Sequence, residues 1–313
     1  MTPRNGPQDD LVKKALLIGG IFLALLVLLV LFLVFSFPSS SILQKEVAII
    51  PLKGEISSES SGGFGSTYYS SQEIVDLLED AKNDPAIGVI FLDIDSGGGS
   101  VVASKQIVYK VREVKQTKPV VSYIGEVGAS GAYYVASAGN YIISDADSIT
   151  GSIGVISIVP NVQELLEKIG VKVEIIKAGK FKAAGSPFEE LSDEERQMIE
   201  SIIQDTFVQF KSDVLSFRQP KLSPQVLDRV ADGRILSGRQ ALSLNLVDEL
   251  LPREQAIEKA ARIGGITGKP VTQAYSKPAL SIFDLFLLGG QAFGQGLRQS
   301  VSVVPIQSVK VRA

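Results

Sequence analysis

Val89-Ile90-Phe91-Leu92-Asp93-Ile94 runs into Asp95-Ser96-Gly97-Gly98-Gly99-Ser100, then a helical stretch from Ala103 to Gln116, then Val120-Val121-Ser122-Tyr123. An apolar run, a glycine turn, a helix and a second apolar run form a strand–helix–strand unit, which sets its strands side by side in parallel. The pattern extends both ways. Upstream, Val47-Ala48-Ile49-Ile50-Pro51-Leu52 reads as a first strand, and Ser70 or Ser71 caps a helix with Ile74, Leu77, Leu78 and Ala81 at helical spacing. Downstream, a second glycine turn opens a helix from about Ser130, and Tyr141-Ile142-Ile143 and Val173-Glu174-Ile175-Ile176 read as further strands. Ser192-Asp193-Glu194-Glu195 is a capping box opening a long helix, with Ile199, Ile202, Ile203, Phe207, Phe210 and Val214 on a face suited to core or to a subunit contact. The expected fold is α/β with a parallel sheet and covering helices, in a single copy without internal repeat.

At the N-terminal side, Ala15 to Phe35 are 21 consecutive uncharged, almost wholly apolar residues. At about 1.5 Å of rise each they match a hydrocarbon layer about 30 Å thick, and they exceed the 7–15 apolar residues usual in a signal peptide. The expectation is an uncleaved transmembrane anchor. Arg4, Lys13 and Lys14 precede it, which favours a cytoplasmic N-terminus and the bulk of the chain outside the cytoplasm, in a single-pass protein of the cell membrane. The expected division is 1–14 short cytoplasmic N-terminus, 15–35 anchor, 36–46 linker, 47–268 main domain and 269–313 tail. Within these, Ser57 to Ser70 read as a mobile Ser/Gly loop, and Leu280 to Leu288 as an apolar tail segment too short to cross a bilayer.

Composition narrows the chemistry. The net charge is −3 with no basic cluster, so nucleic acid is not an expected partner. There is no cysteine and no histidine, which excludes disulfides, thiolate sites and a zinc enzyme, and no metal or cofactor is expected. Without imidazole, a serine nucleophile needs another base. Lysine is the usual substitute once its surroundings favour the uncharged amine.

Ser130 lies in Gly128-Ala129-Ser130-Gly131-Ala132-Tyr133-Tyr134, at a strand-to-helix turn whose small neighbours leave room for a substrate backbone. Taken alone, such a serine is more often a helix cap. Lys182 lies in Gly179-Lys180-Phe181-Lys182-Ala183-Ala184-Gly185-Ser186-Pro187, flanked by apolar residues that favour partial desolvation. Most lysines are solvated surface groups, so it too is ambiguous by itself. Gly98 and Gly99 follow a strand and precede a helix, where bare backbone amides can approach an oxyanion; a plain tight turn is the other reading. The run fits neither the Walker A pattern nor the dinucleotide fingerprint.

Five segments in order, Asp95 to Val101, Lys118 through Tyr134, Thr150-Gly151-Ser152-Ile153-Gly154-Val155, Gly179 to Pro187, and Ala231-Asp232-Gly233-Arg234 through Leu246-Val247-Asp248-Glu249, resemble the signal peptide peptidase A family of membrane-anchored serine proteases. The resemblance covers roughly residues 45 to 265 and the short, single-copy form. It implies a crotonase-like, Clp-protease-like fold, a homo-oligomeric ring, and a Ser/Lys dyad that cleaves remnant signal peptides or other apolar peptides. By the same resemblance the nucleophile falls on Ser130, the general base on Lys182 and the oxyanion glycines on Gly98 and Gly99, with the dyad able to meet across a subunit boundary. Gly97 stands where the family usually has proline, and Ala132 where a second glycine is commoner. Two other classes stay open at this level: a membrane-tethered scaffold without proteolysis, and a crotonase-type acyl-CoA enzyme.

Overall fold

The computed structural model describes residues 7–36, 45–59 and 70–276. The chain divides into two compact units, Met1–Ala274 and Tyr275–Ala313. Residues 60–69 of the expected Ser/Gly loop and the apolar segment at 280–288 lie outside the described residues.

The elements in chain order are α1 (Pro7–Ser36), β1 (Glu46–Ile56), α2 (Ser71–Asn83), β2 (Ile87–Gly99), α3 (Val101–Val114), β3 (Val120–Ala129), α4 (Gly131–Ala138), β4 (Tyr141–Ser144) and β5 (Ile149–Gly151). They continue with α5 (Gln163–Lys168), α6 (Asp193–Arg218), α7 (Pro224–Val230), β6 (Ile235–Ser237), α8 (Gly238–Ser243), β7 (Glu249–Leu250), α9 (Arg253–Ile263) and β8 (Thr272–Ala274). The sheet order is β6-β5-β3-β2-β1-β8, with β4 branching from β3 and β7 beyond it. All pairings are parallel except β5 with β6.

Residues of one strand alternate between faces, so the two faces bury different sets. Val47, Val89, Phe91, Val121, Tyr123 and Ile143 pack with Ala256, Ala260 and Ala261 of α9. The alternate residues Ala48, Ile50, Leu52, Ile90, Leu92 and Ile94 are equally buried, on the side of α2, α3 and α4. Cover on both faces explains why the central strands read as continuous apolar runs. The helix starts follow their sequences: Ser70 and Ser192 each accept from the third helical amide while Glu73 and Glu195 reach back to the cap amide.

The edge of β3 is shared. Its first half pairs with β4 (Val121 with Tyr141 to Ile124 with Ser144), and its tip pairs with β5 (Val127 with Ile149 to Ala129 with Gly151). The chain leaves the edge between them through a turn in which Asp145 N–H donates to Ile124 C=O (2.9 Å).

Two expectations need correction. The 95–100 run is not a turn but the bulged end of β2, because Ser96 Oγ takes a ladder position: it donates to Gly54 C=O and accepts from Gly98 N–H. Val173–Ile176 form no strand; Ile176 is 92% exposed, and among the described residues no strand pairs with this segment. On α6, Phe210 and Val214 are buried but Ile202 is exposed, so only the C-terminal half of its apolar face is core in the single chain. The anchor stretch 15–35 falls within the helix α1, whose described side chains (16–29 and 32) are exposed. Among the described residues no helix is long and apolar enough to cross a membrane.

The Asp248 segment is structural. Arg218 at the end of α6 donates from both terminal nitrogens to the two Asp248 oxygens (2.9 Å each), Lys221 donates at 2.7 Å, and Ile142 N–H at 2.8 Å, tying α6 to β4. Burial alone would raise the Asp248 carboxyl, but Arg218, Lys221 and the Ile142 amide outweigh it and hold it below its ordinary value. A depressed folded-state value contributes stability that is present above the unfolded value near 4 and is lost as pH falls through the folded one. Asp248→Asn is expected to cost about 3–5 kcal/mol at neutral pH, because it strands a buried guanidinium. Urea unfolding measured from pH 7 to pH 3 should show that gap narrowing only at the acid end.

Candidate active site

β3 delivers Ser130 to the N-terminus of α4 in a backbone conformation that L-residues rarely adopt, φ 53° and ψ −122°. Its N–H donates to Gly151 C=O (2.9 Å) and its C=O accepts from Tyr134 N–H (2.9 Å). The side chain makes no cap hydrogen bond, so the helix-cap reading of this serine fails. A non-glycine residue at such angles costs about 1–3 kcal/mol and is kept where the fold over-determines it, characteristically at functional sites. A strand, a strained serine and a helix in succession leave a hydroxyl uncommitted at the helix N-terminus, as a nucleophile requires.

Ser130 opens on a cleft of about 370 Å³. Its floor is Gly97, Gly99, Ser130 and Gly131, its apolar wall Val101, Tyr134, Val155, Ile156 and Phe210, and its polar members include Ser104, Lys105, Ser152 and Thr206. β5 and β6 hold one side: Ser152 N–H donates to Arg234 C=O (2.8 Å) and Gly233 N–H to Ile153 C=O (3.1 Å). Tyr134 is fixed by Phe210 (ring centroids 4.9 Å apart) and donates to Asp213. Burial first, then Asp213, push its phenol far above the ordinary value, so it stays protonated and is no base. A larger groove of about 580 Å³ bordered by Asp93, Asp95, Glu126 and Asp145 does not include Ser130.

The two predicted oxyanion glycines part company. Gly98 (φ 99°) has its N–H engaged by Ser96 Oγ (3.1 Å), and a Cβ there would lie 2.7 Å from Gly131 N; it gives the Ser130 turn room. Gly99 lines the cleft, and its nitrogen lies 3.4 Å from where a Cβ of Gly131 would be. Gly131, first residue of α4, adds an amide without an intrahelical acceptor. The sequence reading missed it, although the amide following a nucleophile is a recurrent oxyanion donor. A methyl at 131 would meet Ser104 Oγ at 2.4 Å and one at 99 would meet Ile56 O at 2.2 Å. Gly131→Ala is therefore expected to lower kcat about 10²-fold with KM little changed, read from steady-state hydrolysis of a fluorogenic peptide.

Lys182 stands elsewhere. It lies on a chain of turns, with its N–H donating to Gly179 C=O (3.2 Å), is exposed, and does not line the cleft. Lys180 beside it pairs with Glu194 and lies over the Phe181 ring. A single chain thus does not bring Ser130 and Lys182 together. The lysine that does line the cleft is Lys105 of α3, half-buried and without an ion pair among the described residues. Its position on the cleft side of α3 carried no sequence signal. Among the described residues no group of acidic side chains could hold a metal ion.

The family model of peptidase family S49 matches residues 112–266. Two proteins that both bear the name "Putative protease" are similar to the chain: one of Methanocaldococcus jannaschii, 34% identical over 223 residues (71% of each chain), and one of Synechocystis sp., 36% identical over 229 residues (73% of this chain, 78% of that one). A chloroplastic serine protease SPPA of Arabidopsis thaliana is 29% identical over 218 residues, 69% of this chain but 32% of that one.

Proposed function

This chain belongs to peptidase family S49 and is a serine peptidase, and from that premise we propose that Ser130 is its nucleophile and Lys182 of a neighbouring copy its general base. The observation that carries the reading is Ser130 itself: strained, without a cap bond, and open to a cleft whose floor is glycine. Family membership sets aside the non-proteolytic scaffold and the acyl-CoA enzyme. In the reaction, a neutral amine takes the proton of Ser130 Oγ as that oxygen bonds the peptide carbonyl carbon, and the carbonyl oxygen becomes negative beside the Gly99 and Gly131 amides. The amine passes the proton to the departing nitrogen as the C–N bond breaks, then takes one from the water that hydrolyses the acyl-enzyme.

Assembly is the natural way to complete such a site. Apolar side chains on the 152–191 segment and α6 are exposed in the single chain, among them Ile156 (83%), Ile158 and Ile202. Faces of this kind are normally covered by a partner, and the proposal is a ring of copies that covers them and pairs Lys182 of one chain with Ser130 of the next. A second reading places the base in the same chain at Lys105, favoured by its place on the cleft wall.

The substrates proposed are apolar peptides, signal peptides released from their precursors among them, which suits the wall of Val101, Tyr134, Val155, Ile156 and Phe210. The uniformly apolar 15–35 stretch, its described side chains all exposed, supports a single-pass anchor that leaves a crotonase-like catalytic domain outside the cytoplasm. A serine-directed acylating probe followed by peptide mapping tests the centre of the proposal. The label is expected on Ser130, and labelling of another serine would refute it.

A further inference from the structure

Ser104 of α3 is 1% exposed, and its Oγ has no hydrogen-bond partner among the described residues. A buried hydroxyl in that state carries its full desolvation penalty. Helical serines and threonines usually escape it by donating back along the helix. Thr206 does so to Ile202 C=O (2.9 Å) and Ser137 to Tyr134 C=O (2.7 Å), whereas Ser104 does not. Ser104 is instead among the residues lining the Ser130 cleft, and its oxygen lies 2.4 Å from where a Gly131 side chain would begin, with Gly99 N 3.4 Å from that same point. One hydroxyl and two glycine residues thus converge beside the Ser130 turn.

From this convergence we infer that the Ser104 hydroxyl is a third donor to the oxygen of the scissile carbonyl, beside the Gly99 and Gly131 amides. The inference rests on Ser130 as nucleophile. When Ser130 Oγ bonds the carbonyl carbon, the C=O π pair moves onto the oxygen, and Ser104 O–H donates to it; Ser104 keeps its proton and no bond to it breaks. Its missing partner is therefore supplied only by the tetrahedral species, which is the condition for lowering a barrier rather than tightening substrate binding.

The test compares Ser104→Ala, Ser104→Cys and Ser130→Ala in the full-length protein. Ser104→Ala is expected to lower kcat about 10²-fold with KM within about threefold. Affinity for a peptide aldehyde, which forms a tetrahedral adduct, should fall in parallel with kcat/KM. The melting temperature should not drop, because the variant removes an unpartnered hydroxyl. Ser104→Cys, of similar size but a weaker donor, should fall between. A kcat within about twofold of wild type, an unchanged aldehyde affinity, or a loss in both variants that tracks a lowered melting temperature would each overturn the role. Retained activity in Ser130→Ala would sink the nucleophile assignment instead, whatever Ser104 does.

Discussion

Ser130→Ala is expected to reduce peptide hydrolysis by about 10⁴-fold or more while leaving the protein folded. The size follows from what is lost: without Oγ there is no acyl-enzyme, and only bound, polarised substrate and water remain. Folding should survive because the hydroxyl makes no cap bond and the turn is held by backbone bonds to Gly151 and from Tyr134. Alanine also suits a φ of 53° poorly, so a small loss of stability is expected beside the large loss of rate. Steady-state kinetics with a fluorogenic peptide, paired with a thermal melt, separates the two. Near-normal turnover would remove Ser130 from the chemistry.

Lys182→Ala should cost about 10³–10⁴-fold in kcat, and Lys105→Ala far less, if the base arrives from a neighbour. The decisive version mixes two inactive proteins. Ser130→Ala chains keep Lys182 and Lys182→Ala chains keep Ser130, so assemblies formed from both contain some boundaries with an intact pair. Unfolding and refolding the mixture should restore a sizeable fraction of wild-type activity, whereas each variant alone stays silent. No recovery, together with a large loss in Lys105→Ala, would place the base within the chain. Lys182 is exposed and outside the cleft of its own chain, so the mixed assemblies test directly whether a neighbour supplies it.

What the sequence revealed depended on how local each cause was. Strands β1 to β4 were legible because apolar runs buried on both faces leave an unbroken signature, and the start of α6 because Ser192 and Glu195 satisfy each other within one turn. Ser130 stood out through its small neighbours. Its strain did not, being imposed by pairing of β3 with β5 and by the entry into α4. The glycine run misread as a turn shows the limit: that Ser96 Oγ would stand in for a ladder partner depends on Gly54, 42 positions away. Val173–Ile176 had strand composition but, among the described residues, no strand to pair with, and composition alone cannot supply one. Ser104, Lys105 and Phe210 reach the cleft from helices whose periodicity identifies buried faces, not which buried residues border a cavity. The placement of Lys182 is the hardest, since the pair proposed here, formed between two molecules, would leave no trace in spacing.

The divided edge of β3 has a mechanical corollary. Its foot is gripped by β4 within the main body, while its tip, which leads into Ser130, the proposed nucleophile, is gripped by β5, only three residues long and backed by an equally short β6. Bending or re-threading of those short pieces can therefore reshape the mouth of the cleft while the foundation stays rigid. Amides at 127–129 should exchange with deuterated solvent sooner than those at 121–124, and substitutions in the 149–154 and 233–237 stretches can alter the cleft without threatening the parallel strands beneath.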